Sequence, residues 1–431
     1  MGMVGGGPGA FIGPVHRMAA ELDGRARLVA GAFSQSAERS RAAGESYRID
    51  PERAYAGYRE MLEAECKRPD GIDFVVIVTP NHLHLPVAIA ALKAGFPVVS
   101  DKPATATYSE VLELQAAVAD AGLPYALTYT YAGYGMVREA RALCASGKLG
   151  KIRKVAVEYL QGWLSQPIET AGQKQAAWRS DPALNGPGGC VGDIGVHAFH
   201  LLEYVTQHKV IGMNAVLRAV VTGRRVDDDC SAFVRMDNGA SGVLMASQVA
   251  TGEGNGLRLR VYGEQGSLDW RQEDPNRLRV KWMDEPEQIY HAGNDYLSVG
   301  TLAVKRLPAG HPEGYIEAFA VLYREFAEEL GQEPPVGPRI DLGEIRQPSG
   351  KLVRVWAVEG DLDVENITSN VFEIEWPPHS GNRASWPEVD RASWMSADSA
   401  KRKLAKGQVG FVDGLVTRLR ETSETSFSLG G

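Results

Sequence analysis

Met3-Val4-Gly5-Gly6-Gly7-Pro8-Gly9-Ala10-Phe11-Ile12-Gly13 joins the end of an apolar strand, through a glycine-rich turn, to a helix that runs through His16, Met18 and Leu22. Strand, turn and helix in that order make a βα unit, and the first N–H groups of such a helix have no partner within it, which suits an anion. Glycine permits the tight turn and lets a pyrophosphate touch the backbone, where a Cβ would obstruct it. Gly5, Gly7, Pro8, Gly9, Ala10 and Phe11 are therefore candidate dinucleotide contacts. A glycine cluster alone is only a turn; its place between strand and helix gives it weight.

Working outward, a second strand, Leu28-Val29-Ala30-Gly31-Ala32-Phe33, ends at Ser34-Gln35-Ser36. An NAD enzyme usually carries an acidic residue here for the adenosine ribose, and an NADP enzyme an arginine for the 2′-phosphate. Neither stands at the tip, so Ser34 is the candidate contact and NAD and NADP both stay open. A third strand, Phe74-Val75-Val76-Ile77-Val78, is a continuous apolar run of the kind buried in parallel sheets, and it stops at Thr79-Pro80-Asn81-His82-Leu83-His84. A fourth, Pro97-Val98-Val99-Ser100, stops at Asp101-Lys102-Pro103. Both stops fall at carboxyl ends of strands, where open α/β sheets bind ligands. Lys102 is there either as a functional charge or as a solvated loop residue.

The chain holds 46 basic and 54 acidic residues, a formal charge of −8, which argues against a protein that coats nucleic acid. With 44% hydrophobic and 23% charged residues it reads as globular, and its length predicts two or three domains. The four cysteines, Cys66, Cys144, Cys190 and Cys230, form no Cys-x-x-Cys pair, which fits buried thiols in a reducing compartment. No apolar run reaches the roughly 18 residues that a membrane span needs, and the chain opens directly on its glycine turn, so a cytoplasmic location with no membrane partner is expected.

The glycine turn, Thr79-Pro80-Asn81-x-x-His84, Asp101-Lys102-Pro103 and Gly188-Gly189-Cys190-Val191-Gly192-Asp193-Ile194-Gly195-Val196-His197 together resemble the Gfo/Idh/MocA oxidoreductases over about residues 1–330. Asp101 departs from that family's usual glutamate. The resemblance implies a Rossmann NAD(P)-binding domain over 1–125 and, over 126–335, an α/β substrate domain with a large open, mostly antiparallel sheet that often carries the oligomer contact. It also implies hydride transfer between a nicotinamide and a ring hydroxyl or ketone of a sugar, glycoside or cyclitol, and a homo-oligomer, dimer or tetramer. Lys102, Asp193 and His197 match the family's catalytic trio. Thr79, Pro80, Asn81, His84 and Lys102 are then expected at the cofactor, with Trp178 and Arg179 near cofactor or substrate. Two other readings share the scaffold: an NAD-dependent glycosidase that oxidises its sugar transiently, and an inactive sensor.

The chemistry fits those residues. An alcohol that gives up hydride must also lose its hydroxyl proton, and histidine, with a reference pKa near 6.5, suits as the base; an ammonium at the same oxygen stabilises the developing alkoxide. Asp193, four residues before His197, shares its face if the stretch is helical, and either holds a neighbouring sugar hydroxyl, orients the imidazole or the ammonium, or caps a helix. Asp193, His197 and His200 also admit a metal, but no thiolate at suitable spacing completes a site, so none is expected. Tyr129 is either sugar-facing or core. His311 and Tyr315, in a proline-rich loop leading to a helix, resemble sugar contacts of one branch of the family.

Beyond residue 330 the character changes. Arg324 to Gly331 and the strands and tryptophans of 336–431 resemble the C-terminal half of a Nudix hydrolase, an extra α+β segment with Glu325, Glu328 and Glu329 spaced as magnesium ligands. Ile316 stands where such a site needs another glutamate, and the preceding strands are missing, so an incomplete segment without pyrophosphatase activity is expected. Strands are predicted over Lys351–Val358 and Val371–Trp376, and a helix over Lys401–Leu419.

Overall fold

The computed structural model describes residues 1–330, 339–346, 352–358, 371–375, 383–387, 395–403 and 409–427. The chain divides into two compact units, Met1–Ala327 and Glu328–Gly431.

In the first unit, β1 (Gly2–Gly5), β2 (Ala30–Ala32), β3 (Val75–Val78), β4 (Val98–Ser100) and β5 (Tyr125–Leu127) form a parallel sheet in the order β2-β1-β3-β4-β5. Val75, Val76 and Ile77 are wholly buried, which is why this strand shows no polar alternation. The connecting helices are α1 (Ile12–Leu22), α2 (Ala37–Tyr47), α3 (Tyr58–Glu65), α4 (His84–Lys93) and α5 (Tyr108–Ala121). The chain leaves β1 toward one edge and returns on its other side as β3, so the order reverses between β1 and β3, with Gly5 opposite Val78. A crevice outside the carboxyl ends of the strands opens at such a reversal.

After α6 (Gly135–Ala145) the pattern becomes antiparallel. Eight strands, β6 (Lys154–Leu160), β7 (Val210–Arg218), β8 (Asp229–Met236), β9 (Ser241–Ser247), β10 (Gly256–Tyr262), β11 (Gly266–Arg271), β12 (Arg277–Trp282) and β13 (Gln288–His291), lie in the order β13-β12-β11-β10-β6-β9-β8-β7. Only β6 and β9 run parallel. In β8, Cys230, Ala232, Val234 and Met236 are buried while Ser231, Phe233 and Arg235 are exposed, so one face packs and the other stays open. The packed face meets Met136, Val137, Ala140 and Leu143 of α6 and Ala198, Leu201, Leu202 and Val205 of α9 (Val196–Thr206), a helical i, i+3, i+4, i+7 stripe. On the open face, Arg258 pairs with Asp269 at 2.8 Å and Arg260 reaches Glu158 at 3.5 Å, in keeping with a solvated face of charges.

Short helices α7 (Lys174–Arg179) and α8 (Pro182–Asn185) precede a π-helical turn, Val191–Gly195, that leads into α9. After α10 (Val299–Leu302), α11 (Tyr315–Leu330) lays Phe319 and Tyr323 against the His16 ring of α1 and Phe326 against Phe74, so its apolar stripe returns to the first sheet. The Nudix-like stretch Arg324 to Leu330 is thus the last part of this helix. Glu325 is bonded to Arg138 at 2.6 and 2.9 Å, and among the described residues no group of three His, Cys, Asp or Glu is placed to hold a metal. Of the trio considered for magnesium, Glu325 is thus taken up by an ion pair with Arg138.

In the second unit, β14 (Arg339–Arg346) pairs antiparallel with β15 (Leu352–Val358), and β16 (Val371–Glu375) with β17 (Arg383–Pro387); α12 (Ala397–Lys403) and α13 (Val409–Phe427) follow. The predicted strands fall on β15 and β16, with Lys351 and Trp376 outside the described residues. The predicted closing helix corresponds to two helices, with 404–408 outside the described residues. No helix among the described residues is long and apolar enough to cross a membrane.

Candidate active site

The turn after β1 takes positive φ at Gly5 (+93°), Gly6 (+77°) and Gly9 (+76°), a region only glycine enters freely. A Cβ on Gly5 would lie 2.7 Å from the Val78 carbonyl oxygen, and one on Gly7 2.5 Å from that of Phe33. Bare backbone therefore faces a cleft of about 190 Å³ at the β1/β3 reversal. α1 starts there with no side-chain cap from Phe11 and no acidic residue in its first turn, so its free N–H groups and positive dipole end are open to an anion. Gly5, Gly7, Pro8, Ala10, Phe11, Ser34, Thr79, Pro80, Asn81, Lys102, Trp178 and Arg179 all line this cleft, as expected of a dinucleotide site. The Thr79 hydroxyl is buried in it with no hydrogen-bond partner among the described residues. A bound pyrophosphate and ribose would answer these unmet groups, so the residues fit a dinucleotide.

Three details differ from the sequence reading. Gly9 shapes the turn without lining the cleft; its carbonyl accepts from Gln175 at 3.2 Å, while Lys174 reaches Pro8 O at 3.0 Å. His84 is buried outside the cleft, its ring nitrogens 2.9 Å from Thr79 O and 2.7 Å from Pro103 O. It ties the end of β3 to the loop after β4 and does not line the cleft where it was expected. Arg39, absent from the sequence reading, lines the cleft near Ser34, because Ser36 caps α2 through the Arg39 N–H and so fixes where that helix begins. This supplies the cation that the strand tip itself lacks.

Lys102 Nζ donates to Asp193 O at 2.6 Å and to Asp193 Oδ1 at 2.9 Å; Arg179 Nε and Gln248 Nε2 donate to Asp193 Oδ2 at 3.0 and 2.8 Å. Burial pushes the Asp193 carboxyl up, but Lys102 and Arg179 outweigh it and hold the group far below the usual carboxylate range. Asp193 sits in the π-helical turn rather than one regular turn before His197. Its carboxylate is thereby turned to the ammonium and makes no bond to the imidazole or to a helix end. Asp101 next door is also held well below its ordinary value, His16 and Lys102 overcoming burial.

His197 is 7% exposed and rests against the Tyr131 ring, with centroids 4.8 Å apart. Burial first, then Lys102, drives its pKa well below 6.5, so the imidazole is neutral. Its Nδ1 is enclosed without a partner among the described residues, which leaves Nε2 as the nitrogen open to the cavity. Tyr129 stacks flat on His200 at 4.1 Å, and burial lowers the His200 pKa to about 4. Both rings are absent from the lining of either cavity, so Tyr129 packs on His200 away from both, and among the described residues His200 belongs to no group of three potential metal ligands.

A second cavity of about 460 Å³ adjoins the first and shares with it Phe11, Ile12, Asp101, Lys102, Gln175, Arg179 and Asp193. His197 and Tyr315 open only into this second space, with Tyr131, Tyr159, Gln161, Trp163, Asn255 and Gln272. His311 does not reach it: it is exposed and borders a separate small cavity with Asn276 and Glu313, because the proline loop turns away before α11 begins. The sequence reading missed Gln161, Asn255, Gln248 and Gln272; the sheet implied by the resemblance does not say which of its side chains face the cavity.

A family model described as the oxidoreductase family with an NAD-binding Rossmann fold matches residues 1–129, and one for the GFO/IDH/MocA C-terminal domain matches 137–269. An uncharacterized oxidoreductase, YfiI, of Bacillus subtilis is 35% identical over 331 residues, 75% of this chain and 84% of that protein. A levoglucosan dehydrogenase of Pseudarthrobacter phenanthrenivorans is 28% identical over 240 residues, 50% of this chain and 60% of that protein. Among solved structures, an inositol dehydrogenase homolog of Azotobacter vinelandii complexed with NAD+ superposes with TM-score 0.74 at 38% identity, over 76% of this chain and 85% of that one. The same homolog with NADH and myo-inositol gives 0.72 at 36% identity, covering 76% and 85%. None of these matches supports a Nudix relationship for residues 336–431. With the cleft at Gly5–Gly7, the lysine–aspartate pair and both family models in agreement, the chain belongs to the Gfo/Idh/MocA family and is an NAD-binding oxidoreductase.

Proposed function

We propose that the protein oxidises a ring hydroxyl of a sugar or cyclitol, and reduces the ketone in reverse, with Lys102, Asp193 and His197 as the acting groups. One observation carries this reading: Lys102 stands in the wall common to the two cavities, and His197 opens into the second. When bound, the nicotinamide supplies the acceptor for the carbinol hydride. The Lys102 ammonium donates to the hydroxyl oxygen and stabilises negative charge as it grows, in a site screened from water. His197, held neutral, takes the hydroxyl proton at Nε2. Asp193 keeps the ammonium aimed. The relatives named for levoglucosan and the homolog bound to myo-inositol support this substrate range. On this reading residues 1–125 supply most of the nucleotide cleft and residues from 126 the His197 cavity. Purified protein incubated with NAD+ or NADP+ and a panel of inositols and hexoses should generate reduced-nicotinamide absorbance with at least one member. A cofactor that binds but is reduced by none would sink the proposal.

The open face of the eight-stranded sheet favours self-association. Phe233 is 71% exposed, paired on the same face with Val243 of β9 and Asn214 of β7, and Val216 lies two residues farther along β7. An exposed aromatic at the β7–β9 end of an otherwise polar face suits an interface, and a second copy is its proposed occupant. Phe233→Asp should shift the species seen in light scattering toward monomer; a wild-type protein that is already monomeric would overturn this assignment.

A further inference from the structure

We infer that the substrate is an uncharged polyol, read by Gln161, Asn255, Tyr131 and Tyr159, and that phosphorylated and acidic sugars are excluded. The inference rests on the reading of the His197 cavity as the site of ring-hydroxyl oxidation. Four ionised side chains line that cavity, Asp101, Lys102, Arg179 and Asp193, and all four lie in the wall it shares with the nucleotide cleft. Two are positive and two negative, and both cations are bonded to Asp193. The part of the cavity that is not shared holds only amides, phenols, hydroxyls, an indole, apolar Ile194 and the neutral His197. A phosphate or carboxylate seated there would lose part of its hydration without meeting a cation, and an unpaired charge in such a place is strongly disfavoured.

The cluster also has the polarity that hydroxyls require. Trp163 Nε1 donates to Gln161 Oε1 at 3.1 Å, Gln161 Nε2 to Asn255 Oδ1 at 2.8 Å, and Tyr159 OH to the same Asn255 oxygen at 2.7 Å. Asn255 Nδ2 donates to the Tyr131 oxygen at 3.3 Å, and the two phenols are hydrogen-bonded to each other. The Asn255 nitrogen keeps a second N–H, that of Gln161 reaches only the Tyr159 oxygen at 3.5 Å, and the Tyr131 oxygen keeps acceptor capacity. A group that both donates and accepts, as a hydroxyl does, satisfies both; a carboxylate or phosphate dianion only accepts. Trp163 adds an apolar face for the C–H side of a ring. Sites built from such buried polar groups discriminate steeply, because a poor match leaves the site's own groups unpaired.

Matched pairs test this with the full chain and NAD+: myo-inositol against its 1-phosphate, and D-glucose against D-glucose 6-phosphate and D-glucuronate. The neutral member of at least one pair should be oxidised, with kcat/KM for its charged partner lower by about 100-fold or more. Asn255→Lys should raise kcat/KM for the phosphorylated partner relative to the neutral one by at least about tenfold, by supplying the missing cation. Charged partners oxidised as well as neutral ones would overturn the inference while leaving the proposed oxidation intact, and an unchanged ratio in Asn255→Lys would remove the named cluster from recognition. Oxidation of neither member with NAD+ bound would sink the proposed function, and this inference with it.

Discussion

Lys102→Ala is expected to lower kcat for polyol oxidation by about 10³-fold, roughly 4 kcal/mol of transition-state stabilisation, while the affinity for NADH stays within a few-fold. The size follows from what the ammonium does. It is nearly buried, at 13% side-chain exposure, and is fixed by Asp193 O and Oδ1 before any substrate arrives. A donor that needs no reorganisation in a low-dielectric site contributes most where charge develops, which is the transition state rather than the bound alcohol. KM should therefore change less than kcat. The fold should tolerate the loss, because the Asp193 carboxylate keeps Arg179 and Gln248 as partners. NADH affinity should survive because the nucleotide rests on the backbone of Gly5 to Pro8 and on the open start of α1, none of which depends on this side chain. Single-turnover rates and NADH fluorescence titration separate the two quantities. A large loss of NADH binding with unchanged single-turnover chemistry would make Lys102 a cofactor ligand instead of a catalytic residue.

The parts of this site that were legible in the sequence are those encoded locally. The run Val75 to Val78 announces a strand buried on both faces, and the glycines at 5, 7 and 9 mark a turn that must approach something closely; both follow from neighbours within a few residues. Lys102 and His197 were legible only as members of segments that resemble a family. Asn255 and Gln161 were not legible, because they meet through the pairing of β10 with β6, where Gly256 lies opposite Leu160, almost a hundred residues earlier. Alternation says which side chains share a face and not which strand lies alongside. His84 and Tyr129 misled for the opposite reason. His84 follows the cavity residue Asn81 by three positions and Tyr129 stands between Thr128 and Thr130, but the ring of His84 faces two carbonyls and that of Tyr129 lies on His200. The π-helical turn at Val191–Gly195 has the same lesson at smaller scale: the turn gives Asp193 to Lys102, one of the alternatives that helical spacing alone left open.

His197→Gln should lower kcat about 100- to 1,000-fold and, more tellingly, abolish the acid limb of the pH profile. In the wild type, burial and then Lys102 disfavour the imidazolium, with Asp101 and Asp193 opposing, and the balance leaves the folded pKa well below 6.5. Activity in the oxidation direction, plotted as kcat/KM, should accordingly be flat through pH 7 and begin to fall only below pH 6.5, as the base becomes protonated. Stability moves in the same direction. The unfolded imidazole binds its proton at about pH 6.5 and the folded one does not, so the unfolded state takes up more protons in that window. The contribution of His197 to folding is thus complete above pH 6.5 and is lost as pH falls from there toward the folded value. His200, lowered to about 4, acts with the same sign, and Asp101 and Asp193 withdraw their contributions only below their ordinary value of 3.8. Denaturant midpoints at pH 7.5 and 5.0 isolate the term: the wild type should lose more stability between them than His197→Gln, because the variant has no proton to gain at that site. Equal losses, together with an acid limb that persists in the variant's residual activity, would show that another group sets the pH dependence and that His197 is not the base.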